Sequence, residues 1–288
     1  MYKLIAIDLD GTLLNSYGEI TQENKNAIKY ALDKGVEVVL ASGRDPKTME
    51  KISIELGIKN FLIAGNGASV YDIKQEENIY ENFLEIRKAL EIIRICKENS
   101  IFLSVYTTKG IITEGLKYNI KVFNNENNSR PNRKRTNIEI VKDIYEYVES
   151  NRPNILKIII SDVSKIIFNN IIEKMKNVRD VEVLDVEHMS KKIIKIGTEE
   201  YSVEYFYTEV TNKDANKWSA IEFLIEKLKI KKEEVICIGD NMNDLQMIKN
   251  AGIGIVMKDS ALEKQKIGDF VTEDNNSNGV AKAIYRYI

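Results

Sequence analysis

Short apolar runs and amphipathic helical stretches alternate strictly over the first 75 residues of the chain, break off, and resume after about residue 208. Tyr2–Asp8 reads as a strand that ends abruptly in Asp8-Leu9-Asp10-Gly11-Thr12. Thr21 caps a helix running to Lys34, with Ala27, Ile28, Ala31 and Leu32 on one face and Gly35 closing it. Val36–Ala41 is apolar at nearly every position, as a strand buried on both faces should be. Asp45-Pro46 opens the next helix, and Phe61–Ala64 is a third strand. Strand and helix in alternation predict right-handed crossovers and a parallel sheet. Between about residues 82 and 203 the pattern is different. Helices are expected over Glu85–Glu98, Ile138–Val148 and Ser164–Met175, with strands over Ile101–Tyr106, Gly110–Thr113 and Leu156–Ile160. The Asn-rich stretch Asn124–Asn137 reads as a mobile loop. Alternation then returns with a helix over Asn216–Leu228, a strand over Val235–Ile238 ending in Gly239-Asp240, a helix over Met242–Lys249 and a strand over Gly252–Val256. Ser260-Ala261-Leu262-Glu263 has the form of a capping box. The expected architecture is therefore an α/β core domain, residues 1–82 and 204–288, with an α+β domain inserted at 83–203 and hinges near 80–84 and 203–208.

Bulk properties narrow the function classes. A length of 288 residues accommodates two cores. The formal net charge of -2 argues against general nucleic-acid or membrane-surface binding. No charge-free apolar stretch approaches the roughly 18–20 residues of a membrane helix, and Asp8 and Asp10 interrupt the first apolar run, so a cytoplasmic protein is expected. Cys96 and Cys237 form no CxxC pair and lie in apolar settings, which predicts buried, reduced thiols. The single histidine, His188, excludes an HExxH zinc site and reads as an ordinary surface or cap residue. No Gly-rich loop precedes a Gly-Lys-Ser/Thr, and Gly65-Asn66-Gly67 and Gly252-Ile253-Gly254 both lack the later glycine of a dinucleotide fingerprint.

The chemistry-bearing residues sit at strand ends and helix starts, the side of an open parallel sheet where ligands bind. Two carboxylates two positions apart, Asp8 and Asp10, can share one site in different roles. Asp8 would attack phosphorus, and Asp10 would protonate a leaving oxygen and later deprotonate water, which calls for a raised pKa. Gly11 permits the sharp turn that aims backbone amides at phosphate oxygens. Alone, an acidic pair on a turn is most often a solvated cap; directly after an apolar strand the DxDGT string is far more specific. Ser42 and the Gly43 amide could hold a phosphoryl oxygen, and Arg44 offers a planar fork for phosphate or substrate, although Ser-Gly-Arg is also a common turn. Lys217 suits a transferring phosphoryl group as a compact charge, with Lys213 as a rival. Magnesium prefers hard oxygen ligands and one or two direct carboxylates, which Asp8, Asp240 and the Asp10 carbonyl would supply, with Asp244 holding the metal's waters. Asn243 could orient Lys217 or a phosphate oxygen.

DxDGT, Ser-Gly-Arg, a helix-borne lysine and GDxxND, in this order, resemble the haloacid dehalogenase-like superfamily, and the insertion point resembles that of Cof-type phosphatases with a large α/β cap. Asn66-Gly67-Ala68, Thr272 and Gly279-Val280-Ala281 are similar to that group's pattern as well. The resemblance implies a Rossmann-like core, a substrate-selecting cap, Asp8 as nucleophile, Asp10 as acid/base, Asp8, Asp10 and Asp240 as the magnesium site, and Asn66 among the phosphate-binding residues. Two departures bear on substrate. Trp218 stands where the family usually has glycine after the lysine, and Val256-Met257-Lys258-Asp259-Ser260 replaces an expected Met-Gly-Asn-Ala.

The expected function is hydrolysis of small phosphorylated metabolites, sugar phosphates or phosphorylated cofactors of the flavin or pyridoxal type, with the cap closing over the leaving group. The alternatives are a phosphotransferase or mutase using the same intermediate, and a phosphate-ester sensor or receiver-like domain phosphorylated on Asp8. Receivers lack a cap of this size and a counterpart of Asp10. The run Arg130, Arg133, Lys134, Arg135 reads first as a solvated loop. Its sharper reading is selection of a second anionic group on the substrate. Oligomeric state is left open.

Overall fold

A computed structural model describes residues 2–129, 135–184, 189–196 and 199–288. His188, Arg130, Arg133 and Lys134 lie outside the described residues. The chain opens with β1 (Leu4–Ile7), α1 (Gln22–Asp33), β2 (Glu37–Ala41), α2 (Pro46–Leu56) and β3 (Phe61–Ala64). Side chains start both helices: Thr21 accepts from the Asn24 amide, and Asp45 accepts from Thr48 with proline next in line. A hairpin, β4 (Ser69–Asp72) and β5 (Glu77–Glu81), then adds two antiparallel strands to β3.

The second part of the chain forms α3 (Ile86–Glu98), β6 (Phe102–Thr107), β7 (Gly110–Thr113), α4 (Tyr118–Ser129), β8 (Ile138–Ile140), α5 (Ile144–Asn151), β9 (Ile155–Asp162), α6 (Lys165–Lys176), β10 (Val181–Val183), β11 (Ser190–Ile196) and β12 (Glu199–Asn212). Two expectations are corrected here. The Asn-rich stretch is helical through Ser129, because Val122 is buried and Asn127 is clamped by paired hydrogen bonds to the Thr136 backbone, both 2.9 Å. Ile138-Glu139-Ile140 is a strand beside β7 and does not begin the following helix. Its apolar residues alternate as a strand's do, and the Asp143 carboxylate caps α5 at Tyr145 and Glu146.

The return segment carries α7 (Lys217–Leu228), β13 (Val235–Gly239), α8 (Leu245–Asn250), β14 (Ile253–Val256), α9 (Leu262–Gln265), β15 (Phe270–Val271) and α10 (Gly279–Tyr287). The expected capping box is absent: Ala261 precedes α9, and the buried Ser260 hydroxyl has no hydrogen-bond partner.

Two compact units result, 1–81 with 215–288, and 82–214. The expected return crossing at 203/204 is displaced because β12 runs unbroken to Asn212, pairing with β11, β9 and β10 in succession. Asn212 then bonds Asn82 and the Phe83 carbonyl, so both ends of the inserted unit belong to it.

The first unit holds an eight-stranded sheet in the order β15-β14-β13-β1-β2-β3-β4-β5, parallel from β15 through β3. β1 is flanked by β2 on one side and β13 on the other, so the chain reverses its winding direction there. Leu4, Ile5, Ala6 and Ile7 are all fully buried, and alternate residues of β1 serve two separate apolar cores, one on each face. In the second unit the sheet runs β10-β12-β9-β6-β7-β8. One face packs under α3, α5 and α6. The other bears Ser104, Tyr106, Lys157, Ser161, Tyr207 and Glu209, as the strand registers require.

Candidate active site

The reversal point at β1 leaves a crevice beyond the carboxyl ends of β1, β2 and β13, and the sequence places its polar residues there. Asp8 continues β1, its amide donating to the Ile238 carbonyl at 3.0 Å, and its side chain is buried. The chain then turns tightly, and Leu13 and Leu14 donate back to Asp8 and Leu9. Gly11 makes this turn with φ +87°, and a β-carbon there would fall 2.6 Å from an Asp240 carboxylate oxygen. Only glycine satisfies both the left-handed backbone and the close approach. The turn delivers Thr12, fully buried, whose hydroxyl donates to Asp240 Oδ1 at 2.8 Å.

Lys217 is the first residue of α7, behind an Asn216 cap that accepts from the Ser219 amide. Its side chain is fully buried between two carboxylates, with Nζ 2.5 Å from Asp8 Oδ1 and 2.6 Å from Asp244 Oδ1. The other Asp244 oxygen accepts from the Asp240 and Asn241 amides, each at 3.0 Å. Asp244 thus joins the lysine to the loop that presents Asp240. Of the two lysines considered, Lys213 pairs with Asp180 in the inserted unit, and Lys217 occupies this site.

Charge is unevenly matched. Ligand oxygens of Asp8, Asp240 and Asp244 lie within 4.8 Å of one another, against a single ammonium. Burial raises the Asp8 pKa well above the usual carboxylate range, the Asp244 charge adds to this, and Lys217 opposes it. Asp240 is pushed up to about 6 by burial first and by Asp244 second, with the Thr12 hydrogen bond and Lys217 offsetting part of the rise. Burial acts to lower the Lys217 pKa, but Asp244 and Asp8 outweigh it and hold the ammonium above its ordinary value. Clustered hard oxygens with excess negative charge suit a divalent cation such as magnesium. Asp8 and Asp240 are the residues of this group that could bind it directly, since both oxygens of Asp244 already have donors. The Asp10 carboxylate is not part of the cluster.

Asp10 instead meets Arg44, which donates from Nε to Oδ2 at 2.9 Å and from Nη2 to Oδ1 at 2.5 Å. Ser42 follows β2, fully enclosed, and its hydroxyl accepts from the Arg44 amide at 3.3 Å. Gly43 passes so close to Asn66 that an added β-carbon would lie 3.0 Å from Asn66 Oδ1. Asn243 donates to that same oxygen at 3.0 Å, so it is tied to Asn66, and the expected role of orienting Lys217 falls to Asp8 and Asp244. Trp218 packs in the apolar core with Leu4, Ala6 and Val39 and leaves the crevice clear. Lys258 pairs with Glu273 at 3.1 Å, while the Asp259 charge reaches Asp240. Arg135 donates to the Asn128 carbonyl at 2.6 Å. Thr12 carries no mark in the sequence beyond its place in DxDGT. A hydroxyl two residues past the second aspartate, in a turn forced by glycine, is the signal that marks it.

Comparison with known proteins gives matches that run the length of the chain. A family model described as haloacid dehalogenase-like hydrolase matches residues 5–284. The chain is 32% identical to YxeH of Bacillus subtilis over 293 residues, covering 100% of this chain and 99% of that protein. It is 27% identical over 293 residues to the 5-amino-6-(5-phospho-D-ribitylamino)uracil phosphatase YcsE of Bacillus subtilis, covering 99% of this chain and 96% of that one. Among solved structures, a haloacid dehalogenase-like hydrolase from Bacteroides thetaiotaomicron superposes with TM-score 0.79 at 26% identity, covering 100% of both chains.

Proposed function

Because the chain belongs to the haloacid dehalogenase-like hydrolases and is a phosphatase, we propose that it hydrolyses small phosphorylated metabolites with magnesium through an aspartyl-phosphate on Asp8. The observation that carries this reading is the buried Asp8–Lys217 pair at the carboxyl end of the central strand. A nucleophile there faces the crevice and is kept in place by a fixed cation, at a point where burial strengthens every charge interaction.

The roles follow from the positions. An Asp8 oxygen attacks phosphorus, forming the O–P bond as the bond to the ester oxygen breaks. Asp10 gives its proton to the departing oxygen and then takes one from the water that attacks phosphorus, which releases Asp8 and inorganic phosphate. Lys217 offsets charge on Asp8 and on the transferred group without needing to reorganise. The Ser42 hydroxyl, the Gly43 amide and the Asn66–Asn243 pair bind phosphoryl oxygens. Asp8 and Asp240, with the Asp10 carbonyl, would hold magnesium, which when bound would spread the negative charge of the transferring group. Thr12 and Asp244 keep Asp240 and Lys217 oriented.

The inserted unit, residues 82–214, selects the ester. Sugar phosphates and phosphorylated cofactors are the substrate class, a reading supported by the phosphoribitylamino-uracil named for the relative YcsE. The test is phosphate release from a panel of such esters, with magnesium or EDTA, by the wild type and Asp8→Asn. Magnesium-dependent release that Asp8→Asn reduces to background is expected. Release indifferent to Asp8 would overturn the mechanism, and transfer to an added acceptor without release would make the protein a phosphotransferase.

A further inference from the structure

We propose that Arg44 holds Asp10 out of the reaction until a phosphoryl group displaces it, so that substrate binding itself frees the acid/base. This rests on the assignment of Asp10 under the proposed function. The guanidinium engages both Asp10 oxygens, one from Nε and one from Nη2, in the planar fork that carboxylates and phosphates both fit. A carboxylate clamped in this way has a lone pair on each oxygen engaged and its plane set by the guanidinium, so it reaches a leaving oxygen or a water less freely than an unclamped one. Parting the pair releases both oxygens for proton transfer.

The surroundings allow that exchange. The Asp10 side chain is 61% exposed and that of Arg44 31%, so no packed neighbour wedges the two together. The Arg44 backbone, by contrast, is anchored, its amide donating to the Ser42 hydroxyl and its carbonyl accepting from Gly65 at 3.0 Å. Motion is thus confined to the side chain, which pivots beside the residues assigned to phosphate. An exposed ion pair is weak and exchangeable, and a phosphoryl dianion offers the fork more charge than a carboxylate does. Arg44 is a positioning residue in this scheme, and Asp10 is an internal competitor for the anion site.

Competition of this kind is read by binding, without turnover. Calorimetric titration of inorganic phosphate, with magnesium present, compares the wild type, Asp10→Ala, Arg44→Gln and the double variant. Removing Asp10 should tighten phosphate binding about five-fold where Arg44 is present, the scale of an exposed pair. In the Arg44→Gln background the same change should alter affinity less than about two-fold. Arg44→Lys, which keeps the charge and loses the fork, should show a reduced gain on removal of Asp10. Equal tightening in both arginine and glutamine backgrounds would mean that Asp10 acts only through its charge, and would overturn the exchange while leaving the phosphatase reading intact. No gain in affinity on removing Asp10 where Arg44 is present would likewise overturn the exchange, while the phosphatase reading is decided separately by phosphate release from the ester panel.

Discussion

Among the described residues, each unit of this molecule buries one lysine against acidic side chains, and the two sites are built to opposite ends. In the second unit, Lys157 on β9 meets Glu209 on β12 at 2.7 Å, with its ammonium 5.4 Å from the centre of the Tyr106 ring. One cation faces one anion, and an aromatic face shields them, so the pair is electrically complete. In the first unit, Lys217 stands between Asp8 and Asp244 with Asp240 adjacent, so negative charge is left over. A balanced buried pair serves folding or specificity; an unbalanced one invites a cation and an electrophile. Proteins replace balanced pairs with apolar side chains at little loss, whereas a single deletion leaves a stranded charge.

The largest expected effect tests that contrast directly. Lys217→Met should lower turnover by about 10²–10³-fold or more, the scale of losing a fixed electrostatic contact to the reacting group. Lys157→Met alone should destabilise the fold by about 3–5 kcal/mol in denaturant unfolding, because the buried Glu209 charge loses the ammonium that offsets it. The double variant Lys157→Met/Glu209→Leu should regain most of that stability and keep turnover. Turnover lost in the double variant would break the comparison and give Lys157 or Glu209 a part in substrate binding.

A smaller effect concerns pH. The Asp240 carboxyl lies at about 6 in the fold against 3.8 as its reference, so folding favours the protonated form. This group's contribution to stability therefore falls as pH rises from 3.8 through about 6, and the ionised form is the disfavoured one at neutral pH. A cation held by Asp240 favours the ionised form and removes that penalty. Magnesium should accordingly raise the melting temperature more at pH 7 than at pH 5, measured against EDTA at each pH. An equal rise at both would detach Asp240 from the metal.

Thr12→Val is the mildest change. It preserves shape and deletes the hydrogen bond to Asp240, a charged acceptor, for about 1.5 kcal/mol or roughly ten-fold in magnesium affinity. Unchanged affinity would show that Gly11 and the Asp244 contacts alone place the Asp240 loop.

Much of this site is legible in the chain because its parts lie where one element type gives way to another. Asp8 ends an apolar strand, Ser42 ends the next, Asp240 follows a third, and Lys217 opens a helix behind an asparagine cap. Such transitions leave local marks in periodicity and capping. The less legible parts have no such marks. Ile138–Ile140 is short enough to read as helix or strand until β7 lies beside it. The Asn-rich segment looks like a loop until Asn127 finds the Thr136 backbone. The second boundary of the inserted unit is hidden because β12 exchanges partners along its length without changing its own pattern.

The amino-acid sequence by itself determined the kind and order of the elements, and hence which acids, hydroxyls and cations gather at one end of the first sheet. Tertiary structure alone decided their pairing. That Asp244 spends one oxygen on Lys217 and the other on two amides, that Arg44 clasps Asp10, and that Asn243 turns to Asn66 depend on contacts between residues far apart in the chain. Periodicity registers which face a residue takes. Which oxygen meets which nitrogen is set by ångström-scale placement of whole strands and helices, and no local preference encodes that.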